Sequence, residues 1–414
     1  MDTNNIVAEN IENIEKNDQV NELPICVHNE FCGGCIYQDL AYEKQRIAKG
    51  KEVLSLMKQK DADLSTLEEP FEPENLIGAP KLYRYRNKME YTFGDLVKDG
   101  EMTLGMHKKG NFMSIITVDE CQLVDEDFNL VLIKTLEFCN ERGYRFYHKK
   151  SHEGLVRNLI VRKGVRTNEL LVNIVTSSQQ EFDEEGYADM IYALPLKNTP
   201  VGVLRTINDN IADAVYVDEV RVLRGRDYYM EKIMGLDFKV SAFSFFQTNV
   251  EAAERLYLDA LSLLPDFEGK VVFDLFCGTG TITQALATKA KKAVGVELVA
   301  EAVEAAKENA KLNGLDNCEF IAGDVFDVLD NITEKPDVIV VDPPRVGILP
   351  KTIDKILNYG VKEILYISCN PRTLAENLRY MQYYGYMPVK MKAYDNFPMT
   401  KHIESVVLLR KKDE

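Results

Sequence analysis

The sequence predicts an α/β protein whose C-terminal part, residues 236–414, is a doubly wound parallel sheet, preceded by a β-rich central domain and a small cysteine-cluster segment. Three observations carry this. From about Leu236, short apolar runs alternate with helical stretches, and parallel neighbours need such crossovers. Between about Lys81 and Met230 apolar and polar residues alternate between Gly-containing turns, as in strands. Ahead of both, Cys26, Cys32 and Cys35 crowd together and a helical pattern follows.

In chain order, residues 1–22 hold six acids and one base, Lys16, the opposite of an export or mitochondrial signal, and read as a solvated tail of a cytoplasmic protein. Residues 23–80 hold the cysteines and a basic amphipathic helix with Leu40, Ile47 and Leu54 recurring every seven residues. Residues 81–235 contain alternating stretches at Leu155–Arg162 and Glu169–Val175 and a helix near Asp127–Arg142, which suggests an antiparallel domain. In 236–414, strands are expected at Val271–Leu275, Ala293–Glu297, Cys318–Ile321, Asp337–Val341 and Glu363–Ser368, with Ala300–Asn313 the clearest helix. Tyr386–Tyr394 and Ile403–Arg410 suggest an antiparallel edge.

Bulk properties exclude several classes. Apolar content of 45% and charged content of 28% over 414 residues suit two or three folded domains. No apolar run approaches the roughly 20 residues of a membrane span. A net charge of −16 argues against a general nucleic-acid coat. With no export signal, the eight cysteines point to metal or catalytic use rather than disulfides.

Ligands of open α/β sheets sit at the carboxyl ends of the strands. The first strand runs into Asp274-Leu-Phe-Cys-Gly-Thr-Gly280, where Gly278 and Gly280 let the backbone approach a ligand. Glu297 ends the second strand, where a carboxylate can accept both ribose hydroxyl protons, and Asp324 follows the third, placed to accept from an adenine amino group. Acids at successive strand ends describe a nucleoside site. Thr283 stands where the dinucleotide fingerprint wants a third Gly or Ala, and nothing offers a nicotinamide subsite, so S-adenosylmethionine is preferred to NAD. Five parallel strands closed by an antiparallel pair likewise suit a class I, Rossmann-like S-adenosylmethionine methyltransferase.

The fourth strand ends in Asp342-Pro-Pro-Arg345, a rigid wall beside the transferring methyl. Amino-group methyltransferases commonly carry an aromatic residue where Arg345 stands, so nitrogen is disfavoured as acceptor. The fifth strand ends in Tyr366-Ile-Ser-Cys-Asn-Pro371, which aims Cys369 into the same cleft. Carbon 5 of a pyrimidine becomes nucleophilic only once a group adds to carbon 6, and a thiolate suits that addition. A base must then remove the carbon 5 proton. Glu404 is the candidate and His402 its rival, set aside on strand alternation.

Together Phe246-Gln247-Thr-Asn249, the Asp274–Gly280 turn, Asp342-Pro-Pro-Arg345, Ser368-Cys-Asn-Pro371 and His402-Ile-Glu404 resemble the RNA uracil-5-methyltransferase family over roughly Cys26 to Lys411. The resemblance implies that Gln247, Phe276, Glu297 and Asp342 contact S-adenosylmethionine, that Asp324 matches a cofactor position, and that Cys369 is nucleophile and Glu404 base. Cys26, Cys32, Cys35 and Cys121 could ligate zinc or an iron–sulfur cluster, and spacing favours neither. The ribosomal-RNA-directed members look like this, which implies a [4Fe-4S] cluster and 23S ribosomal RNA as substrate. The same chemistry on transfer RNA is the alternative, and a non-catalytic iron–sulfur RNA-binding or ribosome-assembly protein is a second. Many rRNA-directed relatives carry an OB-like domain where this chain has an acidic stub. For RNA contact, eight Lys/Arg between Arg142 and Arg166 face one acid, Glu153, and Lys81, Arg84, Arg86 and Lys88 interleave with Tyr83 and Tyr85. The target uridine must be unpaired or flipped. DNA, a membrane and an obligate protein partner are not implied.

Overall fold

The computed structural model describes residues 24–211 and 217–412, so the tail read over 1–22 lies outside the described residues. After the cysteine-bearing segment comes α1 (Tyr42–Gln59). The seven-residue spacing points to a seam along Leu40, Ile47 and Leu54, but the helix buries Gln45, Lys49, Val53 and Met57 instead, and Leu40 lies before it, exposed. The surface it meets decides this. Val53 and Met57 join the core of the C-terminal sheet, while a Cβ on Gly50 would meet the Pro73 carbonyl oxygen at 2.3 Å.

The central region is built from β1 (Lys88–Asp95), β2 (Met102–Lys108), β3 (Asn111–Thr117), α2 (Glu126–Glu141), β4 (Val156–Gly164), β5 (Glu169–Thr176), α3 (Glu184–Ala193), β6 (Thr199–Ile207) and β7 (Glu219–Gly225). The seven strands pair in the order β3-β2-β1-β4-β5-β6-β7. The sheet is not purely antiparallel. β5 and β6 run parallel, joined by α3, whose start Asp183 caps by accepting from Gly186 N at 2.9 Å. Phe128, Val131, Leu132, Phe138, Tyr187 and Ile191 of α2 and α3 pack in the core of this sheet.

A hairpin, β8 (Tyr228–Ile233) and β9 (Leu236–Ser241), straddles the division read at 235/236. Its Tyr229, Ile233, Phe238 and Val240 pack with α4 (Val250–Leu263) in the core of the C-terminal sheet. That sheet comprises β10 (Val271–Leu275), α5 (Thr281–Ala287), β11 (Lys292–Glu297), α6 (Ala300–Leu312), β12 (Cys318–Ala322), the short α7 (Val325–Val328), β13 (Val338–Val341), α8 (Pro350–Asn358), β14 (Glu363–Ser368), α9 (Pro371–Tyr383), β15 (Tyr386–Tyr394) and β16 (Glu404–Lys411). The strand order is β12-β11-β10-β13-β14-β16-β15, five parallel strands closed by an antiparallel pair. Order reverses between β10 and β13, the switch point where such sheets bind ligands. No helix among the described residues is long and apolar enough to cross a membrane.

Candidate active site

The turn after β10 is shaped by left-handed backbone: Phe276 has φ 69°, Gly278 54° and Gly280 76°. A Cβ on Gly280 would lie 2.7 Å from the Phe320 ring, so the turn packs this closely on β12 only because that residue is glycine. Gly278 faces open space, with nothing within 4 Å of its missing Cβ. Glu297 latches the turn, accepting from Gly278 N and, through its other oxygen, from Val299 N, both at 3.0 Å. Asp324 caps α7, accepting from Phe326 N at 2.8 Å. Beneath the turn, buried Asp274 accepts from Thr283 Oγ1 at 2.6 Å while its Oδ1 has no partner. Burial pushes its carboxyl up to about 7. An open glycine floor, two acids at neighbouring strand ends and an unpartnered buried oxygen fit a polar, nucleoside-bearing ligand.

Beside this lies the second half of the cleft. Asp342 begins the loop after β13, its carboxyl pushed up to about 7 by burial and then by the Asp274 charge. Asn370 staples that loop to the one after β14: its Nδ2 donates to Arg345 O at 2.9 Å, and its Oδ1 caps α9 by accepting from Arg372 N at 3.1 Å. Asn377 tightens the same corner, accepting from Ile348 N and the Tyr366 hydroxyl, each at 2.8 Å. These contacts fix the Arg345 loop to the turn that carries Cys369, near enough for the Arg345 charge to act on the thiol.

Antiparallel β14 and β16 pair Ser368 with Ser405. Carrying that register one residue outward puts Cys369 opposite Glu404. Burial, then the charges of Glu404 and Asp342, push the thiol up to about 11, and Arg345 pulls it down. Glu404 is pushed up to about 8 by burial, then by Asp342, with Arg345 again opposing. β16 begins at Glu404, so alternation does not reach His402, and electrostatics separates the two instead. Burial and the Arg345 cation, which donates to His402 Nδ1 at 3.4 Å, hold that imidazole down to about 4, making it a far weaker base than Glu404.

Gln247 is not a helix cap; Asn249 fills that place, accepting from Ala252 N at 3.2 Å. The Gln247 amide donates to the Tyr257 hydroxyl at 2.7 Å, and Asp342, Glu404 and Asp274 all act on that hydroxyl. The fold therefore gathers Gln247, Phe276, Glu297, Asp324, Asp342, Cys369 and Glu404 around the strand ends. Tyr257, Asn370 and Asn377 were not legible as site residues. Only the Asn-Pro start of α9 carried a local signal, as a cap.

Most of the basic stripe serves the fold. Arg142 pairs with Asp183, Lys163 with Asp125 and Arg166 with Glu254. Buried Arg157 donates to Asn208 O and Arg162 to Ser241 O and Ser244 O. In the second group Lys81 pairs with Glu251 and Arg84 with Glu126.

Cys26, Cys32, Cys35 and Cys121 are brought into one neighbourhood. Burial, then the other three sulfurs, push Cys35 up to about 12, and Cys121 is raised to about 11 mainly by burial. Cys26 Sγ lies against Glu120 O, Cys32 Sγ accepts from Gly34 N, and Cys35 and Cys121 pack with Leu82, Tyr85, Leu123 and Met399. Among the described residues no group of three or more His, Cys, Asp or Glu is placed to hold a metal ion. The residues do not fit the [4Fe-4S] cluster, or the zinc alternative, and that expectation is corrected. Thiols raised by burial act as small apolar side chains.

Comparison with known proteins agrees with the methyltransferase half and speaks against the ribosomal type. Residues 211–412 match the family model described as tRNA (Uracil-5-)-methyltransferase. An uncharacterized RNA methyltransferase of Clostridium tetani is 48% identical over 382 residues, 92% of this chain and 82% of the relative. One from Caldanaerobacter subterraneus is 46% identical over 404 residues, 98% and 88% respectively. The Pyrococcus abyssi tRNA (uracil-54, C5)-methyltransferase, solved with S-adenosyl-L-homocysteine, superposes with TM-score 0.74 at 25% identity, covering 93% of this chain and 86% of that one. The matching model and the solved relative are transfer-RNA enzymes, so the 23S ribosomal, iron–sulfur type implied by the cysteines is not upheld. The fold is that of a class I S-adenosylmethionine methyltransferase. With relatives this similar over more than four fifths of their length, the chain belongs to the RNA (uracil-5-)-methyltransferase family.

Proposed function

We propose that this protein methylates carbon 5 of a uridine in transfer RNA, with Cys369 as covalent nucleophile and Glu404 as the base that ends the reaction. What supports it is the register of β14 and β16, which pair Ser368 with Ser405 and so bring Cys369 and Glu404 to the same strand ends, together with the Glu404 and Asp342 charges acting on the thiol. Gln247, Phe276, Glu297, Asp324 and Asp342 line the cofactor side. S-adenosylmethionine, when bound, supplies an electrophilic methyl group. Cys369 gives up its proton to solvent, the Arg345 charge favouring the thiolate, and adds to carbon 6, and the displaced ring electrons make carbon 5 nucleophilic. After carbon 5 takes the methyl, Glu404 in its ionised form accepts the carbon 5 proton. The electrons of that C–H bond reform the 5,6 double bond and expel the Cys369 thiolate. A carboxyl poised at about 8 is a stronger base than an ordinary glutamate, which suits a carbon acid.

Transfer RNA is supported by the family model and by the Pyrococcus relative. Purified transfer RNA and ribosomal RNA, both lacking 5-methyluridine, are incubated with radiolabelled S-adenosylmethionine and digested to nucleosides. Label is expected in 5-methyluridine from transfer RNA; label confined to ribosomal RNA overturns the substrate.

A further inference from the structure

The connection between β15 and β16, residues 395–403, ends at Glu404, which pairs with Tyr394 across the hairpin. Its conformation therefore sets where the carboxyl sits. The chain before the central region grips this connection at several points. Lys49 of α1, 0% exposed, donates to Asp395 Oδ1, also 0% exposed, at 2.7 Å, and to Phe397 O at 3.3 Å. One turn earlier, Gln45 reads Met399 twice: its Oε1 accepts from Met399 N at 3.0 Å, and its Nε2 lies 3.2 Å from the sulfur. Ile36 N and Tyr37 N both donate to Met399 O, and Ile77 bonds to Ala393 O and Asp395 N on either side of Tyr394.

Inside the connection the grip is passed along. Asp395 accepts from Phe397 N at 3.1 Å, the Thr400 hydroxyl donates to Phe397 O at 2.8 Å, and His402 N donates to Thr400 Oγ1 at 3.3 Å. A lysine and an aspartate buried completely are a costly way to fill space, since apolar residues of similar size would fold as well. What the pair adds over an apolar contact is direction: it admits one register between α1 and the connection.

We infer that Lys49 and Gln45 are positioning residues, through which the N-terminal helix holds the Asp395–Ile403 connection so that Glu404 faces Cys369. The inference rests on the roles given to Cys369 and Glu404 above. It predicts an effect on one step. The nucleophile stands just past β14, beside the Asn370 staple to Arg345 and outside the grip; the base stands at the end of the gripped connection. Loosening the grip therefore slows proton removal and product release while attack by Cys369 continues.

The test uses the full chain, a transfer RNA transcript and radiolabelled S-adenosylmethionine, with KM, single-turnover adduct formation and adduct release measured separately. Because Lys49→Met alone strands a buried carboxylate, the informative variants are Lys49→Met with Asp395→Asn, which leaves no unpaired charge, and neutral Gln45→Leu. Thermal unfolding of each establishes the folded fraction. Expected for each folded variant is parental KM for RNA, parental adduct formation, and release slowed roughly a hundredfold, the scale of an ångström-sized misplacement. Methylated RNA–protein adduct then accumulates on a denaturing gel, as in Glu404→Gln. Release at the parental rate in a folded variant, or equal slowing of every step, overturns the positioning role. Failure of parent and Glu404→Gln alike to form any adduct overturns the proposed reaction and this inference with it; adduct accumulating in Glu404→Gln but not in the grip variants overturns this inference alone.

Discussion

Replacing Glu404 by glutamine removes the base while keeping nearly the shape of the protonated acid, and the structure gives the sign and size of the effect. In the folded protein the carboxyl is pushed from its ordinary 4.5 up to about 8. With the folded value above the unfolded one, the protonated carboxyl's contribution to stability is fully present below pH 4.5 and is lost as pH rises toward 8. At pH 7, about 2.5 units above the unfolded value, the loss is about 3 kcal/mol at roughly 1.4 kcal/mol per unit. Glutamine does not titrate. Glu404→Gln should therefore match the parent near pH 4.5 and exceed it by about 3 kcal/mol at pH 7, while release of methylated RNA slows by roughly 10²–10⁴-fold. Urea unfolding at both pH values, paired with single-turnover release, reads the two effects. Equal stability of the two proteins at pH 7 would refute the claim that enclosure raises this carboxyl, and parental release would remove Glu404 from the chemistry.

Three other perturbations bear on the site. Gly280→Ala places a methyl group 2.7 Å from the Phe320 ring at a φ of 76°. It should cost about 1–3 kcal/mol and weaken S-adenosylmethionine binding, read by calorimetry. Asn370→Ala removes both the cap of α9 and the staple to Arg345; denaturation should show a loss of about 1–2 kcal/mol, with slowed adduct formation. Arg345→Met removes the cation that opposes the charges on Cys369, so alkylation of the thiol should need higher pH than in the parent, followed by the rate of iodoacetamide labelling against pH.

Some of this was open to reading from the sequence. The parallel strands are short apolar runs bounded by glycines and acids, and each catalytic motif sits at a strand end, so period and punctuation sufficed for β10 to β14. Where burial depended on a distant partner, local pattern misled. In α1 the apolar spacing pointed to Leu40, Ile47 and Leu54, yet Gln45 and Lys49 are buried because Asp395 and Met399, some 350 residues away, satisfy them. In the stripe from Arg142 to Arg166, the carboxylates and carbonyls that several of the cations meet, Asp183, Glu254 and Ser241 among them, are supplied from elsewhere and invisible at short range. Cysteine spacing suggested a metal site, since spacing counts sulfurs without saying where each is seated. The choice between RNA classes had no local motif at all, being a property of a surface spread over the chain.

The most direct measurement of the central claim uses a transfer RNA transcript in which uridine is replaced by 5-fluorouridine, incubated with enzyme and S-adenosylmethionine. Fluorine cannot leave carbon 5 as a proton does, so elimination stops and the bond from sulfur to carbon 6 persists. A band of slowed migration on a denaturing gel, absent from Cys369→Ser and mapped by mass spectrometry to the peptide containing Cys369, is the predicted result. Methyl transfer to uridine by the Cys369→Ser protein at the parental rate, with no adduct in either protein, would contradict it.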